Sequence, residues 1–367
     1  VTNAEPMRPT LSEVAREAGV GRSSAARVLG NYGSVSEHTR SRVLLAAKRL
    51  GYETDELARS MSRGVTMTIG VVLADIANPF FAAVSRGIAD EARRAGYGVL
   101  LVNSDENVEL EDEAVRLLVG KRVDGIIVAP AGGADASAEA LRWAADRGTP
   151  VVQVDRTLND FEADAVVMDN RDAGRAAAER LIAAGHRRIA LAWGPARPSR
   201  RRVTPEALLR WARTSELSSV GERFLGYADA LEAAGIPLDP GLVMTGEQTS
   251  AGVRDFMRSL LATEPPTAVI ATELDAVVAV LAEVRESGLR LPEDLSLVGF
   301  DDSPWADVYT PPLTMLRQPA QLLGQRAAER LVVRMTGDRG VRTLDHLPVE
   351  LNCSGGEGSV APPREDA

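Results

Sequence analysis

The sequence predicts an all-α helix-turn-helix head followed by an α/β core of two doubly wound parallel-sheet lobes. Three observations carry that expectation. The first fifty residues hold three short helical periods separated by glycine turns, and from Thr68 onward short β-rich apolar runs alternate with amphipathic stretches. The charge is also divided: residues 1–64 carry ten Lys/Arg against seven Asp/Glu and the remainder 32 against 45, within a net charge of −10. A basic head on an acidic body points to a nucleic-acid-binding module.

At 367 residues, 45% hydrophobic and 26% charged, the chain is ordinary globular material with room for two or three domains. Its single cysteine, Cys353, excludes a disulfide framework, and no Cys and His residues share metal-ligand spacing, so neither a metal nor a cofactor is expected. No run of about 18 apolar residues occurs and no leader pattern opens the sequence, which predicts a cytoplasmic protein.

In the head, Thr10-Leu11-Ser12-Glu13 forms a capping box that starts a helix at residue 10 or 11, with Leu11, Val14, Ala15 and Ala18 on one face. Gly19 ends it, and a second helix is expected from about Arg22 to Leu29, buried through Ala25, Val28 and Leu29. Ser36 caps a third, whose apolar face runs Val43, Ala46, Ala47 and Leu50 and which stops at Gly51. Three helices in about 42 residues bury little surface, so the unit reads as a DNA reader held by a larger body. Arg22, Ser23 and Arg27 fall on the outward face of the second helix, where arginine can give two donors to guanine O6 and N7. Arg40, Arg42, Lys48 and Arg49 suit phosphates.

Seven runs read as buried strands: Ile69–Leu73, Val99–Val102, Gly125–Val128, Val151–Val154, Ile189–Ala192, Ala268–Ile270 and Ser296–Gly299. Their alternation with helices implies parallel sheets covered on both faces, and so many units imply two lobes facing a cleft. Ligands in such sheets bind beyond the strand C-terminal ends, where Asp75, Asn78-Pro79-Phe80-Phe81, Asp155-Arg156, Glu273 and Asp301-Asp302 stand. Carboxylates there can accept from hydroxyls and Phe80 can stack on a sugar or base. Taken one at a time, each is more simply a turn-capping Asp or a core Phe; it is the recurrence of acidic residues at the same topological place that points to a binding site.

The run from Thr10 to Val20, with Arg27-Val28-Leu29, Val35-Ser36, Thr39-Arg40 and Leu50-Gly51-Tyr52, resembles the DNA-binding head of the LacI/GalR (lactose-repressor/galactose-repressor) family of transcriptional regulators. Gly21, Ala25-Ala26 and Gly30 depart from its usual pattern. The resemblance continues through Ile69-Gly70-Val71-Val72, Asn78-Pro79-Phe80-Phe81, Arg122 to Ile127, Gly185 to Ile189, Pro292 to Ser296, Val298 to Asp301 and Arg317-Gln318-Pro319. That core is similar to periplasmic sugar-binding proteins. Carried over by position, the effector contacts implied are Phe80, Asp155, Arg223, Glu273, Asp301 and Gln318, with Gln248, and Arg223 holds the effector from the second lobe. Glu273-Leu274 stands where many members have Asn-Asp. In the hinge, the resemblance places Met61 as the apolar wedge in a central minor-groove step of the DNA.

The expected organisation is a DNA-binding head at 8–54, a hinge helix at 55–66, a two-lobed effector-binding and dimerisation domain at 67–352, and a disordered tail at 353–367, rich in Gly, Ser, Pro and charge. Between Gly194 and Arg223 an insertion offers a basic loop (Arg197, Arg200, Arg201, Arg202) and a helix capped at Thr204-Pro205 and running to about Arg213. It reads as a lid, an anion-favouring surface or a solvated excursion. No heptad run ends the chain, so a homodimer on a pseudo-palindromic operator is the simplest assembly.

Two other classes compete. An enzyme loses support because no G-x-G-x-x-G follows the first strand, no P-loop motif occurs, and His38, His186 and His346 suggest no catalytic arrangement. A transport-type binding protein would need an export signal and has no use for residues 10–61. The reading is therefore a DNA-binding regulator, a repressor, whose operator affinity is controlled by a sugar-like or nucleoside-like effector in the interlobe cleft.

Overall fold

The computed structural model describes residues 9–30, 33–52, 65–131, 138–158, 160–194, 203–214, 218–246, 248–301, 303–353 and 358–364. Met61 with most of the hinge, and Arg197 with Arg200 to Arg202, lie outside the described residues. The chain divides into two units between Met67 and Thr68.

The first unit holds α1 (Leu11–Glu17), α2 (Arg22–Gly30) and α3 (Glu37–Leu50). The capping box forms as the sequence predicts: Glu13 N donates to Thr10 Oγ1 while Thr10 N donates to Glu13 Oε2 at 2.7 Å. Ser36 caps α3 through Thr39 N, and Gly51 closes it in the left-handed conformation at φ +64. Val14, Ala15, Ala18, Ala25, Val28, Val43, Ala46 and Ala47 form one small core.

In the second unit a six-stranded, wholly parallel sheet has the order β10-β5-β4-β3-β1-β2. Its strands are β1 (Thr68–Leu73), β2 (Gly98–Asn103), β3 (Gly125–Val128), β4 (Val151–Asp155), β5 (Asp164–Met168) and β10 (Leu344–Leu347). Side chains alternate across it. Ile69, Val71 and Leu73 meet α4 (Pro79–Arg94) and α13 (Ala320–Met335), whereas Val72 meets α5 (Val108–Gly120) and α6 (Glu139–Asp146).

The second sheet has the order β11-β9-β8-β7-β6, from β6 (Ile189–Ala192), β7 (Ala268–Ala271), β8 (Ser296–Phe300), β9 (Thr314–Arg317) and β11 (Glu350–Cys353). Only β11 runs antiparallel to its neighbour among these. Ile189 and Leu191 face α7 (Asn170–Ala183), α8 (Pro205–Arg213) and α9 (Ser218–Ala233), while Ala190 and Ala192 face α10 (Ser250–Thr263) and α11 (Leu274–Glu286). The short helix α12 (Pro304–Val308) precedes β9.

All seven expected strands form, and the two-lobed, doubly wound core is as predicted. The chain passes between lobes three times, from β5 to α7, from β9 to α13 and from β10 to β11, so three strands of backbone join them.

Two helix pairs pack through glycine. A Cβ on Gly87 would stand 2.0 Å from Gln321 O, and one on Gly324 2.0 Å from Val84 O, fixing α4 on α13. In the other lobe, a Cβ on Gly174 would stand 2.0 Å from Arg223 O and one on Gly226 1.9 Å from Arg171 O. The α7–α9 contact carries Arg223 toward the cleft.

Two expectations need correction. The tail is not disordered over 358–364: Ser359 and Val360 are buried, Leu297 N donates to Ser359 O at 2.8 Å, and Ala361 N donates to Ser296 Oγ at 3.0 Å. A segment too polar to fold alone can still dock when a preformed sheet supplies hydrogen-bond partners, and the composition argument addresses only the first case. The insertion's helix is likewise neither a lid nor a solvated excursion. Thr204 caps it as expected, but Leu208 and Trp211 of α8 are buried in the second lobe's core.

Candidate functional site

In the head, Arg22, Ser23 and Arg27 are all exposed on α2, as a base-reading helix requires, and Arg40 is half-buried on α3. Two of the arginines suited to phosphates are engaged within the head: Arg42 Nη2 donates to Gly19 O at 3.3 Å, and Arg49 lies 3.8 Å from Glu17. Gly19 takes φ +59 at that turn, and a Cβ there would stand 2.5 Å from Arg42 Nη2.

Between the lobes lies a cavity of about 440 Å³. Phe80, Asp155, Arg223, Gln248, Glu273, Asp301 and Gln318, named from the sequence at scattered positions, all line it. The strand ends place most of them. Asp155 closes β4 and Asp301 follows β8, both with left-handed backbone at φ +69 and +62, and Trp193 after β6 does the same at φ +69. Such geometry costs on the order of 1–3 kcal/mol at a non-glycine residue and persists only where surrounding contacts hold it. For Trp193 those contacts include Thr272 Oγ1, which donates to its carbonyl at 2.8 Å, and Met244 Sδ, which accepts from its amide at 3.4 Å.

Arg223, buried on α9, is the hub. Its Nε donates to Asn170 Oδ1 (2.9 Å), Nη1 to Thr272 O (2.5 Å) and Glu273 Oε1 (2.9 Å), and Nη2 to Gln318 Oε1 (3.2 Å). The guanidinium also lies 4.6 Å from the centre of the Phe300 ring. Gln318 in turn donates from Nε2 to Asp301 Oδ1, and Asp301 Oδ2 accepts Leu274 N at 3.1 Å. Across the cleft, Arg156 grips Glu106 with both Nη atoms (2.5 and 2.7 Å), and its Nε lies 3.2 Å from Asp155.

Burial pushes the carboxyls of Asp155 and Asp301 above the usual carboxylate range, against the pull of the nearby arginines. Burial likewise raises Glu273 to about 8, with Arg223 opposing it and Asp301 adding to it. These groups are acceptors when ionised and donors when protonated, which is the chemistry that holds hydroxyls.

Sequence reasoning missed Trp193, Glu106, Ser219 and Asp275, which also line the cavity. Trp193 was within reach, because it directly follows an expected strand, the same place that singled out the acidic residues. Its indole Nε1 is buried without a hydrogen-bond partner.

A family model described as bacterial regulatory proteins, lacI family, matches residues 10–55. A second, described as periplasmic binding proteins and sugar binding domain of LacI family, matches residues 66–344. The chain belongs to the LacI/GalR family. It is a DNA-binding transcriptional regulator.

Other LacI/GalR members match across nearly the whole length. The HTH-type transcriptional regulator CelR of Thermobifida fusca is 34% identical over 339 residues, 90% of this chain and 93% of the relative. The ribose operon repressor of Bacillus subtilis (strain 168) is 33% identical, covering 93% of this chain and 96% of the relative. Among solved structures, a CelR–cellobiose complex is 32% identical with a TM-score of 0.67, covering 95% of this chain and 100% of that one. The lac repressor dimer bound to operator and the anti-inducer ONPF is 25% identical with a TM-score of 0.79, covering 96% and 100%. Among the described residues, no helix is long and apolar enough to cross a membrane and no acidic, His or Cys cluster could hold a metal.

Proposed function

We propose that this LacI/GalR regulator is a repressor that binds a pseudo-palindromic operator as a homodimer and whose operator affinity is set by a small sugar-like or nucleoside-like effector in the interlobe cleft. One observation carries this reading: the seven residues carried over by position converge on a single cavity, with Arg223 bonded to four residues that line it or stand beside it. Relatives add support, since one is solved with cellobiose and another, a dimer, with operator.

Lining residues come from both lobes, Phe80 and Asp155 from the first and Arg223, Glu273 and Asp301 from the second. A ligand bridging them makes more contacts at one lobe angle than at another, and that difference is what a ligand needs in order to shift a two-state equilibrium. In this reading Arg22, Ser23 and Arg27 read each half-site, Arg40 binds phosphate and Met61 wedges the centre of the operator. The carboxylate acceptors favour the polyhydroxylated effector over the planar one.

The test is fluorescence anisotropy of labelled operator with the full chain, titrated with neutral monosaccharides, disaccharides and nucleosides. A member of the panel is expected to change operator affinity, and Arg223→Ala is expected to abolish that change while leaving effector-free operator binding intact. A normal response in Arg223→Ala would show that the cleft is not the effector site.

A further inference from the structure

Two features that draw anions in proteins, a guanidinium and a helix N-terminus, face this cleft, and the chain's own oxygen acceptors, carboxylates among them, already occupy both. Arg223 has four of its five N–H groups engaged, both on Nη1, so no parallel pair remains to grip a carboxylate or phosphate. At the start of α11, Leu274 N is taken by Asp301 Oδ2 at 3.1 Å. Arg156, the other cation lining the cavity among the described residues, has both Nη atoms on Glu106. Glu106, Asp155, Glu273 and Asp301 thus face two guanidiniums, and the exposed Asp75 and Asp275 add further negative charge to the lining.

We propose that Glu273 fixes the charge class of the effector: with its carboxyl on Nη1 of Arg223, the cleft takes uncharged or amine-bearing sugars and refuses their carboxylate and phosphate counterparts. This rests on the sugar reading above and narrows it. Glu273 is free for the task, because it stands at the N-cap of α11 without making a capping bond.

An entering anion would meet carboxylates in a low-dielectric site where each guanidinium is already ion-paired, Arg223 with Glu273 and Arg156 with Glu106 and Asp155, and where the one Arg156 nitrogen without a hydrogen bond, Nε, is buried. Burial is what raises the carboxyls of Asp155, Glu273 and Asp301, and neighbouring carboxylates add to it. A hydroxyl or ammonium instead donates to these oxygens.

The experiment is calorimetric titration of the full chain with glucose, galactose and cellobiose, each beside its amino, uronate and phosphate forms. On any scaffold that binds, the neutral or amino form is expected to bind at least tenfold more tightly than the uronate and phosphate. Glu273→Ala, which opens Nη1, is expected to narrow that gap at least tenfold, whereas Glu273→Gln, whose amide oxygen keeps Nη1 occupied, leaves most of it. Equal narrowing by both variants would overturn the role of the Nη1 contact. Should neither variant fold, the wild-type ranking decides: a uronate or phosphate bound as tightly as its neutral form overturns the proposal and leaves the sugar reading standing. Binding by no member on any scaffold removes both.

Discussion

Arg27 and Glu111 show how differently single side chains serve the two units. Arg27 is exposed on α2 and can give two donors to a guanine, so Arg27→Ala is expected to cost about 1–3 kcal/mol at one base pair of each half-site and to relax specificity there. Affinities of variant operators measured at fixed salt check this, and a uniform loss across all sequences would instead mark a phosphate contact. Glu111 is buried on α5, where its Oε2 accepts Ala131 N at 2.6 Å. Burial, only partly offset by that bond, raises its carboxyl from 4.5 to about 7. The folded state therefore holds more protons than the unfolded state between those values, so stability falls as pH rises through that window and levels off above it. Glu111→Gln is expected to flatten this part of the curve while keeping the acceptor for Ala131. Thermal unfolding from pH 4.5 to 8 reads it, and an unchanged slope would show that Glu111 does not titrate there.

At the scale of elements, the α7–α9 contact couples packing to the cleft. Gly174→Ala places a Cβ against the Arg223 carbonyl, which as backbone cannot swing aside, so the helices must part at a cost of about 1–3 kcal/mol. Because Asn170 sits on α7 and Arg223 on α9, the guanidinium loses its Nε partner as well. The variant is expected to unfold at lower temperature and to bind effector more weakly, whereas Gly120→Ala, with nothing within 4 Å of the added Cβ, changes neither. Equal behaviour of the two variants would refute the coupling.

Elements were legible where their pattern was local. The Thr10 and Ser36 caps, the glycine stops and the seven apolar strands can be read from a few neighbouring residues. β5, β9, β10 and β11 were not picked out. Of these, β10 alternates half-buried and exposed positions and sits at a sheet edge, and β11 lies at the edge of the second sheet, where a strand needs no continuous apolar run. The docking of α8 was hidden for another reason, since only the three-dimensional neighbours of Leu208 and Trp211 show them to be core.

Over the whole molecule, the division into a helical head and a two-lobed body followed from charge and periodicity, but the number of passes between lobes did not. The first sheet takes its edge strand β10 from residues 344–347, nearly two hundred positions beyond β5, and no spacing rule anticipates that pairing. The cleft was legible through the rule that ligands sit beyond strand ends. Trp193 escaped because that rule was not carried to the end of the Ile189–Ala192 strand.

The segment 358–364 was misjudged by composition, and it carries a prediction at this scale. Ending the chain after Cys353 removes the Leu297–Ser359 bond, the Ala361 carbonyl that accepts from His186 Nε2 at 2.8 Å, and the burial of Val360. A loss on the order of 5 kcal/mol is expected in the second unit, from about 1 kcal/mol for each of these hydrogen bonds and for those of Ala361 N to Ser296 Oγ and Thr314 N to Ser359 Oγ, and about 1.5 kcal/mol for the valine. Denaturant unfolding checks it, and unchanged stability would show that the segment does not hold the sheet.

The account stands or falls on sequence-specific DNA binding by the full chain. The most direct measurement is selection of bound sequences from a random double-stranded DNA library at moderate salt, where phosphate contacts alone retain little. The account predicts enrichment of a pseudo-palindrome with two equivalent half-sites, relaxed in the Arg27→Ala variant. Recovery of no preferred sequence, with binding that merely falls as salt rises, would contradict it.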